Sequence, residues 1–344
     1  MQDLEDIDLN EDIIDDDEGE SAAEKVDDTN IISKLRKLVK KIRKSLKLRQ
    51  KLKKCCAICN ITYLVVIIDV KTRWNSTNQM ILRAEHLKAV LKVLCTHEKS
   101  LATLQLTDEE WSYLNVVQTL LAKFDHATQL ISMARHCNIH NYIPTLNWLI
   151  DSVEEFKNKH TGTIRYAANG ALMKLKKYEV KVDKCIIPFI ATILHPALKI
   201  NYFKEHGYSN SEVREIKKAV SEYFTTNYQT AEADVEIESS SEDEYRVHAF
   251  KRSRIDRISS EFSSYLALRL TSRKVDPLDY WKAQAQQFPC LSNMARDIFA
   301  APPSSTCVER DFSKGARFVT PVNCSMSQTT IRAAMSLKSW YSTN

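Results

Sequence analysis

Five features of the chain carry residue types that can do chemistry. Asp69 closes the apolar run Thr62 to Asp69, and Glu309 opens a short helical pattern. Metal-dependent phosphoryl transfer needs about three carboxylates converging on ions about 4 Å apart, which two acids so far apart in sequence do not supply. Each acid also has a structural reading. Asp69 terminates a strand, and Thr306-x-x-Glu309 fits a capping box in which the glutamate satisfies a backbone amide. Cys56-x-x-Cys59 is half of a zinc pattern, but the nearest further ligands, His136, Cys137 and His140, begin some 77 residues on. A structural zinc needs four ligands, so reduced thiols and no bound metal are the expectation. Residues 34–54 hold twelve Lys and Arg and no acid, Lys37, Lys40, Lys41, Arg43 and Lys44 among them. Three readings stay open for this run: phosphate binding, a solvated helix face, and a nuclear import signal. Finally, Thr72 to Thr77 reads TRWNST. There Arg73 and Trp74 can clamp a phosphate and stack a base. The generic reading makes Trp74 a packing residue and Asn75 or Ser76 a helix cap.

The elements that position these residues must be mostly helical. The 344 residues contain five glycines, where average usage of about 7% would give roughly 24. Glycine-rich nucleotide loops, propellers and barrels all need that residue at turns. The length suits roughly two domains, and 44% hydrophobic residues suffice for a buried core. The longest apolar run, Tyr63 to Ile68, is far short of the roughly 20 residues of a membrane span. Nine scattered cysteines behind an acidic N-terminus without a signal-peptide pattern point to a reducing compartment.

Charge is strongly segregated although the net value is only +5. Residues 1–28 carry fourteen acids and one lysine, a composition that predicts an acidic disordered tail over 1–30. The basic run predicts one amphipathic helix with Ile31, Leu35, Leu38, Ile42 and Leu46 on its apolar stripe, and the acidic tail can fold back and screen it. Thr62 to Asp69 is β-branched-rich and predicts a strand. Helical stripes follow: Met80 to Leu94, Leu114 to Ile131 behind a Thr107-x-x-Glu110 capping box, Leu146 to Phe156, Ile164 to Leu175, and Val213 to Tyr223. Residues 229–254 hold an acidic, serine-containing stretch that predicts a linker. Beyond it, Ile255 to Arg269 traces a helix. Asp276-Pro277 caps the next one, Leu291 to Ile298 marks another, Pro302-Pro303 stops it, and Ile331 to Trp340 forms the last. The aromatic density here, with Trp281, Phe288, Phe312 and Trp340 among ten aromatics, predicts a partner surface or packing against the preceding helices.

Two segments resemble a known family, the hAT transposases. DVKTRWNSTNQMILRA, Asp69 to Ala84, is similar to the family block of Asp-x-x-Thr-Arg-Trp-Asn-Ser-Thr followed by a Met-Leu helix. DPLDYWKAQAQQFPCLSNMARDIFAAPPSSTCVERDFSKG, Asp276 to Gly315, resembles the C-terminal dimerisation region, whose usual end matches Lys338-Ser339-Trp340. ATILHPALKINYF resembles a block that normally reads Leu-Asp-Pro, with His195 in place of the Asp. The resemblance implies a ribonuclease-H-like core interrupted by an all-helical insertion. Glu309 matches the family's late catalytic glutamate. The two early aspartates, the Cys-x-x-His helix and a zinc-finger DNA-binding domain have no counterpart in these residues. Trp74 matches the tryptophan held near the active site, which handles a flipped base at the DNA end.

Together these readings predict a mainly α protein: a truncated ribonuclease-H-like core, a large helical insertion and a helical dimerisation region. The expected divisions are 1–30, an acidic tail; 31–75, the basic helix and a remnant strand; 76–228, the insertion; 229–254, the linker; and 255–344, the dimerisation region. The expected activity is protein dimerisation through Trp281, Phe288, Leu291, Phe312 and Trp340, with itself or related hAT proteins. Weak DNA binding is expected through Lys37, Lys40, Lys41, Arg43, Lys44, Arg73 and Trp74. Transposition catalysis, a membrane, a small-molecule substrate and a cofactor are not expected, and the expected location is the nucleus. The alternative is an active hAT-type nuclease that uses Glu309, a divalent metal such as Mg, and acids supplied from elsewhere.

Overall fold

A computed structural model describes residues 31–133, 138–179, 183–229, 261–306, 309 and 326–341. The described residues form helices joined by turns and irregular segments, with no strand among them. They divide into two compact units. One comprises residues up to Val70 together with Gln79–Asn115, and the other Lys71–Asn78 with the rest of the chain.

In the first unit, α1 (Ile31–Lys44) and α2 (Leu46–Ile58) replace the single basic helix that the spacing predicts. Ser45 is the reason. Its backbone is extended, and its hydroxyl accepts from Leu48 N at 3.3 Å, which caps α2 and ends α1. Leu35, Leu38, Val39 and Ile42 are buried as the periodicity requires, whereas Leu46, just past the break, is 63% exposed. The first stretch of the Met80–Leu94 stripe lies on α3 (Trp74–His86), which begins in the second unit, and the remainder on α4 (Lys88–His97). Met80, Ala84, Leu87, Leu91 and Leu94 are all buried, and α4 packs on α2.

The predicted strand does not form. Residues 61–70 are irregular, because a strand needs a neighbour to complete its hydrogen-bond ladder and none of the described residues offers one. The segment is instead tied down by side chains. Arg83 donates to Val65 O at 2.8 Å, and Arg36 grips both carboxylate oxygens of Asp69 at 2.6 Å. α5 (Asp108–Ile131) starts in the first unit with the predicted capping box intact. Thr107 N donates to Glu110 Oε2 at 2.7 Å, and Glu110 N donates to Thr107 Oγ1 at 3.2 Å.

The second unit holds two apolar clusters. Leu120 and Ala127 of α5 pack with Leu149, Val153 and Phe156 of α6 (Tyr142–Lys159) and Ala168, Leu172 and Leu175 of α7 (Gly162–Leu175). The larger cluster is built from α8 (Ile187–Leu194), α9 (Asn201–Glu205) and α10 (Asn210–Phe224), the helical residues 261–267, and the helices Pro277–Gln284 and Pro289–Phe299. Residues on both sides of the expected 229–254 linker therefore share one core. The linker beyond residue 229, the tail over 1–30, Ile255 and Ile258 lie outside the described residues.

That shared core is stitched at the end of α8. A helix leaves its last carbonyls without intrahelical partners. Here Tyr265 OH donates to Ile193 O at 2.9 Å and Trp281 Nε1 donates to Leu194 O at 2.8 Å, both buried. Lys199 works in the reverse direction. It is 1% exposed, and its Nζ donates to Tyr265 O at 2.7 Å and Leu268 O at 2.8 Å while lying 4.4 Å from the centre of the Tyr265 ring.

Candidate nucleic-acid and dimerisation surfaces

The basic residues of α1 and α2 divide into two sets. Those near the apolar face are used inside the first unit. Lys34 pairs with Glu110 at 2.8 Å, Arg36 with Asp69, and Lys51 with Glu98. The Asp69 carboxylate beside it holds the Arg36 guanidinium above its ordinary pKa. The remaining set points outward. Lys37, Lys40, Lys41 and Lys44 are exposed, and Arg43 is half-buried. Lys37, Lys40, Lys41 and Lys44 fall three and four residues apart, so they form one stripe along α1. Lys41 also donates to Ser100 O at 2.6 Å. Lys47, Lys53 and Lys54 extend the exposed charge onto α2.

Arg73 and Trp74 lie in the second unit, where Arg73, rather than Asn75 or Ser76, occupies the cap of α3. Its carbonyl accepts from Ser76 N at 3.1 Å and Thr77 N at 3.3 Å, and the Ser76 hydroxyl donates back to it at 2.7 Å. Arg73 is exposed. Trp74 is 51% exposed. One face of the indole meets Phe124 with ring centres 5.8 Å apart, and Nε1 reaches Thr128 Oγ1 at 3.4 Å. Trp74 is thus a packing residue on one side and leaves about half of its surface exposed. Below it, the buried Asn78 joins Gln118 and Asp125 at 3.4 Å each, while the Asn75 side-chain oxygen is buried without a hydrogen-bond partner.

The end of α5 brings a second distant segment to this place. Thr128 touches Trp74, and Ser132, one turn on, donates to Thr306 Oγ1 at 3.3 Å. Two segments more than two hundred residues apart in sequence thereby meet one helix face. Sequence reasoning missed this, although a threonine within the α5 apolar stripe was a usable signal. Glu309 follows Thr306 and is exposed. The predicted capping box is not what holds it. Glu309 N donates to Ser305 O at 2.9 Å, and Ser305 Oγ donates to the Glu309 carboxylate at 2.7 Å, because the turn begins one residue earlier than the motif implies. Asp69 is buried, with both oxygens on Arg36. Among the described residues no three His, Cys, Asp or Glu gather in a metal-binding arrangement, so the residues present do not by themselves fit a two-metal site. Cys56 is buried and Cys59 half-buried, and burial raises the Cys56 thiol pKa.

Of the expected dimerisation residues, Trp281, Phe288 and Leu291 are interior residues of the larger cluster. They build the fold and are buried, because the end of α8 and residues 261–267 pack against them. Phe312 lies outside the described residues. Trp340 does face outward at 70% exposure, beside Leu337 and Tyr341 on the helix Gln328–Tyr341.

Comparison with known proteins bears on both surfaces. Residues 24–120 match the ZBED1 RNase-like helical domain, and residues 261–341 match the hAT family C-terminal dimerisation region. The helical character of the first match agrees with the absence of strands among the described residues. A putative AC transposase of Zea mays is 26% identical across 90% of this chain and 41% of its own length. A putative transcriptional regulator, tpeD, of Talaromyces stipitatus is 26% identical across 73% of this chain and 29% of its own. The zinc finger BED domain-containing protein DAYSLEEPER of Arabidopsis thaliana is 23% identical across 80% and 41%. The chain therefore spans about two fifths or less of the length of these relatives. With both regions in the order that the sequence motifs anticipate, and relatives matched along most of its length, the chain is similar to hAT transposase-like proteins and carries a match to their C-terminal dimerisation region.

Proposed function

We propose that this chain is a transposase-derived dimerising protein of the nucleus that binds DNA weakly and performs no transposition chemistry. The observation that carries this reading is the exposed stripe of Leu337, Trp340 and Tyr341 on the helix Gln328–Tyr341, inside the matched dimerisation region. A tryptophan and a tyrosine exposed on one helical turn are the residue types that anchor protein interfaces. The partner is a second copy or a related hAT protein. DNA contact belongs to the lysine stripe of α1 and to Arg73 and Trp74, whose charge and exposed indole suit phosphate and base. The fixed engagement of Asp69 by Arg36 argues against its recruitment as a catalytic acid, and no cofactor enters the proposed activity.

The test is the solution mass by light scattering at low and high salt. A salt-independent dimer that becomes a monomer in Leu337→Asp/Trp340→Asp, with an unchanged thermal transition, is the expected result. A wild-type monomer would sink the dimerisation reading.

One observation favours a second reading. The α5 face that holds Trp74 also holds Thr306, three residues from Glu309. An active nuclease would use that proximity with acids from another subunit and a divalent metal. It requires Mg-dependent nicking of duplex DNA that disappears in Glu309→Gln, and we expect no nicking from either protein.

A further inference from the structure

Helix α7 presents to solvent a face that a surface helix ordinarily keeps polar, and we infer that this face is the docking site for an acidic amphipathic helix of a partner protein. The site lies within the second unit. It uses none of the residues assigned above to dimerisation or DNA.

Residues 166–173, Tyr-Ala-Ala-Asn-Gly-Ala-Leu-Met, hold no charged side chain over about two helical turns. One side of this stretch belongs to the core. Ala168 and Leu172, followed by Leu175, are buried in the cluster shared with α5 and α6. The other side is apolar too, yet Tyr166 is 83% exposed and Met173 63%. At about 100° per residue, Tyr166, Gly170 and Met173 fall within roughly 60° of one another, opposite the buried stripe. Their spacing of i, i+4 and i+7 is that of a seam on which a second helix packs.

Gly170 supplies a separate observation. Glycine inside a helix weakens it relative to alanine. A Cβ at position 170 meets no atom within 4 Å, so nothing in this chain requires the small residue. Between an exposed tyrosine and an exposed methionine it leaves a notch that a partner side chain fills, as a knob enters a hole. Tyrosine and methionine are also residue types enriched where proteins meet.

Charge selects the partner. Residues 157–178 hold six Lys and Arg and no acid. Lys157 and Lys159 are paired with Glu154 and Glu155 on α6. Arg165, Lys174, Lys176 and Lys177 are exposed and make no ion pair among the described residues. Arg165 and Lys176 flank the seam on one side and Lys174 on the other. The macrodipole favours cations at a helix C-terminus, which accounts for the lysines there but not for the uncharged exposed face ahead of them. A partner helix with Asp and Glu beside its apolar stripe matches both features. Acids are stabilising at a helix N-terminus, so the partner runs antiparallel, with its acidic first turn on Lys174, Lys176 and Lys177. A convex helix face gives a single strand of nucleic acid no groove to track, and Met173 gives no ring on which to stack a base.

The test uses the full chain and a fluorescein-labelled peptide of about 20 residues, long enough to hold a helix. The peptide carries leucine at i, i+4 and i+7 spacing and glutamate on the flanks. A scrambled peptide of the same composition keeps the charge and loses the stripe. Anisotropy should show the first binding at least about tenfold more tightly than the second, with a rise in peptide helicity. Tyr166→Ala/Met173→Ala and Gly170→Leu should each weaken that binding about tenfold or more. Gly170→Leu should do so without lowering the thermal transition, because the notch is open and leucine is the better helix former. Lys174→Gln/Lys176→Gln/Lys177→Gln should weaken it about three- to tenfold, chiefly at low salt. Lys37→Gln/Lys40→Gln/Lys44→Gln, on the distant α1, should leave it within about twofold.

Equal binding of the scrambled peptide, or a loss confined to the α1 variant, reduces the contact to general charge attraction and overturns the proposal. So does an absence of binding at about 0.1 mM peptide. A single-stranded oligonucleotide bound through Tyr166, with no binding of the peptide, assigns the face to nucleic acid instead. A wild-type dimer that Gly170→Leu converts to a monomer in light scattering assigns it to a second copy of the chain.

Discussion

Lys199 shows how one residue can join two parts of a chain. Its backbone is in the left-handed region at φ 50°, a conformation that costs a non-glycine residue roughly 1–2 kcal/mol. That geometry aims Nζ at the two carbonyls it satisfies near the end of the helical residues 261–267. Burial pushes the ammonium down to about 8, which still leaves it mostly charged at pH 7. Lys199→Met removes two charge-assisted bonds, and although the Tyr265 carbonyl keeps Leu268 N as a donor, urea unfolding should show a loss of about 2–4 kcal/mol. His140 supplies the pH response. Its ring lies 4.5 Å from that of His195, its Nδ1 is buried without a partner, and burial pushes its pKa down to about 3, with Asp276 acting weakly the other way. The unfolded chain takes up a proton below about pH 6.5 that the folded chain refuses until about pH 3. Stability is therefore complete above pH 6.5 and falls as the pH drops, by at most about 1.4 kcal/mol per unit from this group. His140→Leu should flatten that slope in thermal melts between pH 6 and 4.

Among the elements, the ends decide more than the middles. α1 and α2 would be one helix without Ser45, whose hydroxyl holds Leu48 N. Glu110 has two tasks, capping α5 and pairing with Lys34. Glu110→Ala should therefore cost about 1–2 kcal/mol, more than Thr107→Ala at about 1 kcal/mol. The double variant should fall short of the sum, because both changes remove the same cap. At the end of α8, Trp281 and Tyr265 supply the donors that the helix lacks. Trp281→Phe keeps most of the apolar contact and deletes only the N–H, leaving a buried Leu194 carbonyl unpaired. We expect a loss of about 1–3 kcal/mol with unchanged circular dichroism at 20 °C. Buried Tyr and Trp need partners for their polar ends, and that was the one available hint of this stitching.

At the scale of the whole molecule, the two proposed interactions differ in character and lie in separate parts of the chain. The apolar stripe at Leu337, Trp340 and Tyr341 should associate independently of salt, since it carries little charge. The lysine stripe of α1 should respond steeply to salt. Measuring dimer mass and duplex affinity on one preparation between 50 and 300 mM salt, a range over which phosphate contacts lose affinity by orders of magnitude, should therefore give a flat curve and a falling one. Coupled curves would show that dimerisation and DNA contact use one surface.

Residue spacing alone determined which faces are apolar, since periodicity reports burial directly. Leu35, Leu38 and Ile42, the stripe from Met80 to Leu94, and Val213, Ile216 and Val220 are all buried as spaced. It also located the Thr107–Glu110 and Asp276 caps, because capping is local chemistry. The motifs around Trp74 and Trp281 located the two family regions. Tertiary structure decided everything that depends on a distant partner. Thr62 to Asp69 has strand-forming residues but no ladder to join, so it is held by Arg36 and Arg83 instead. The aromatics Trp281 and Phe288 have the composition of an interface, yet they are buried within one chain against Tyr265, with the Trp281 N–H on the end of α8. Trp74 and Thr306 meet the same end of α5 although nothing in their local sequence links them. Local pattern specifies which side of an element avoids water, but only the assembled chain specifies what covers that side.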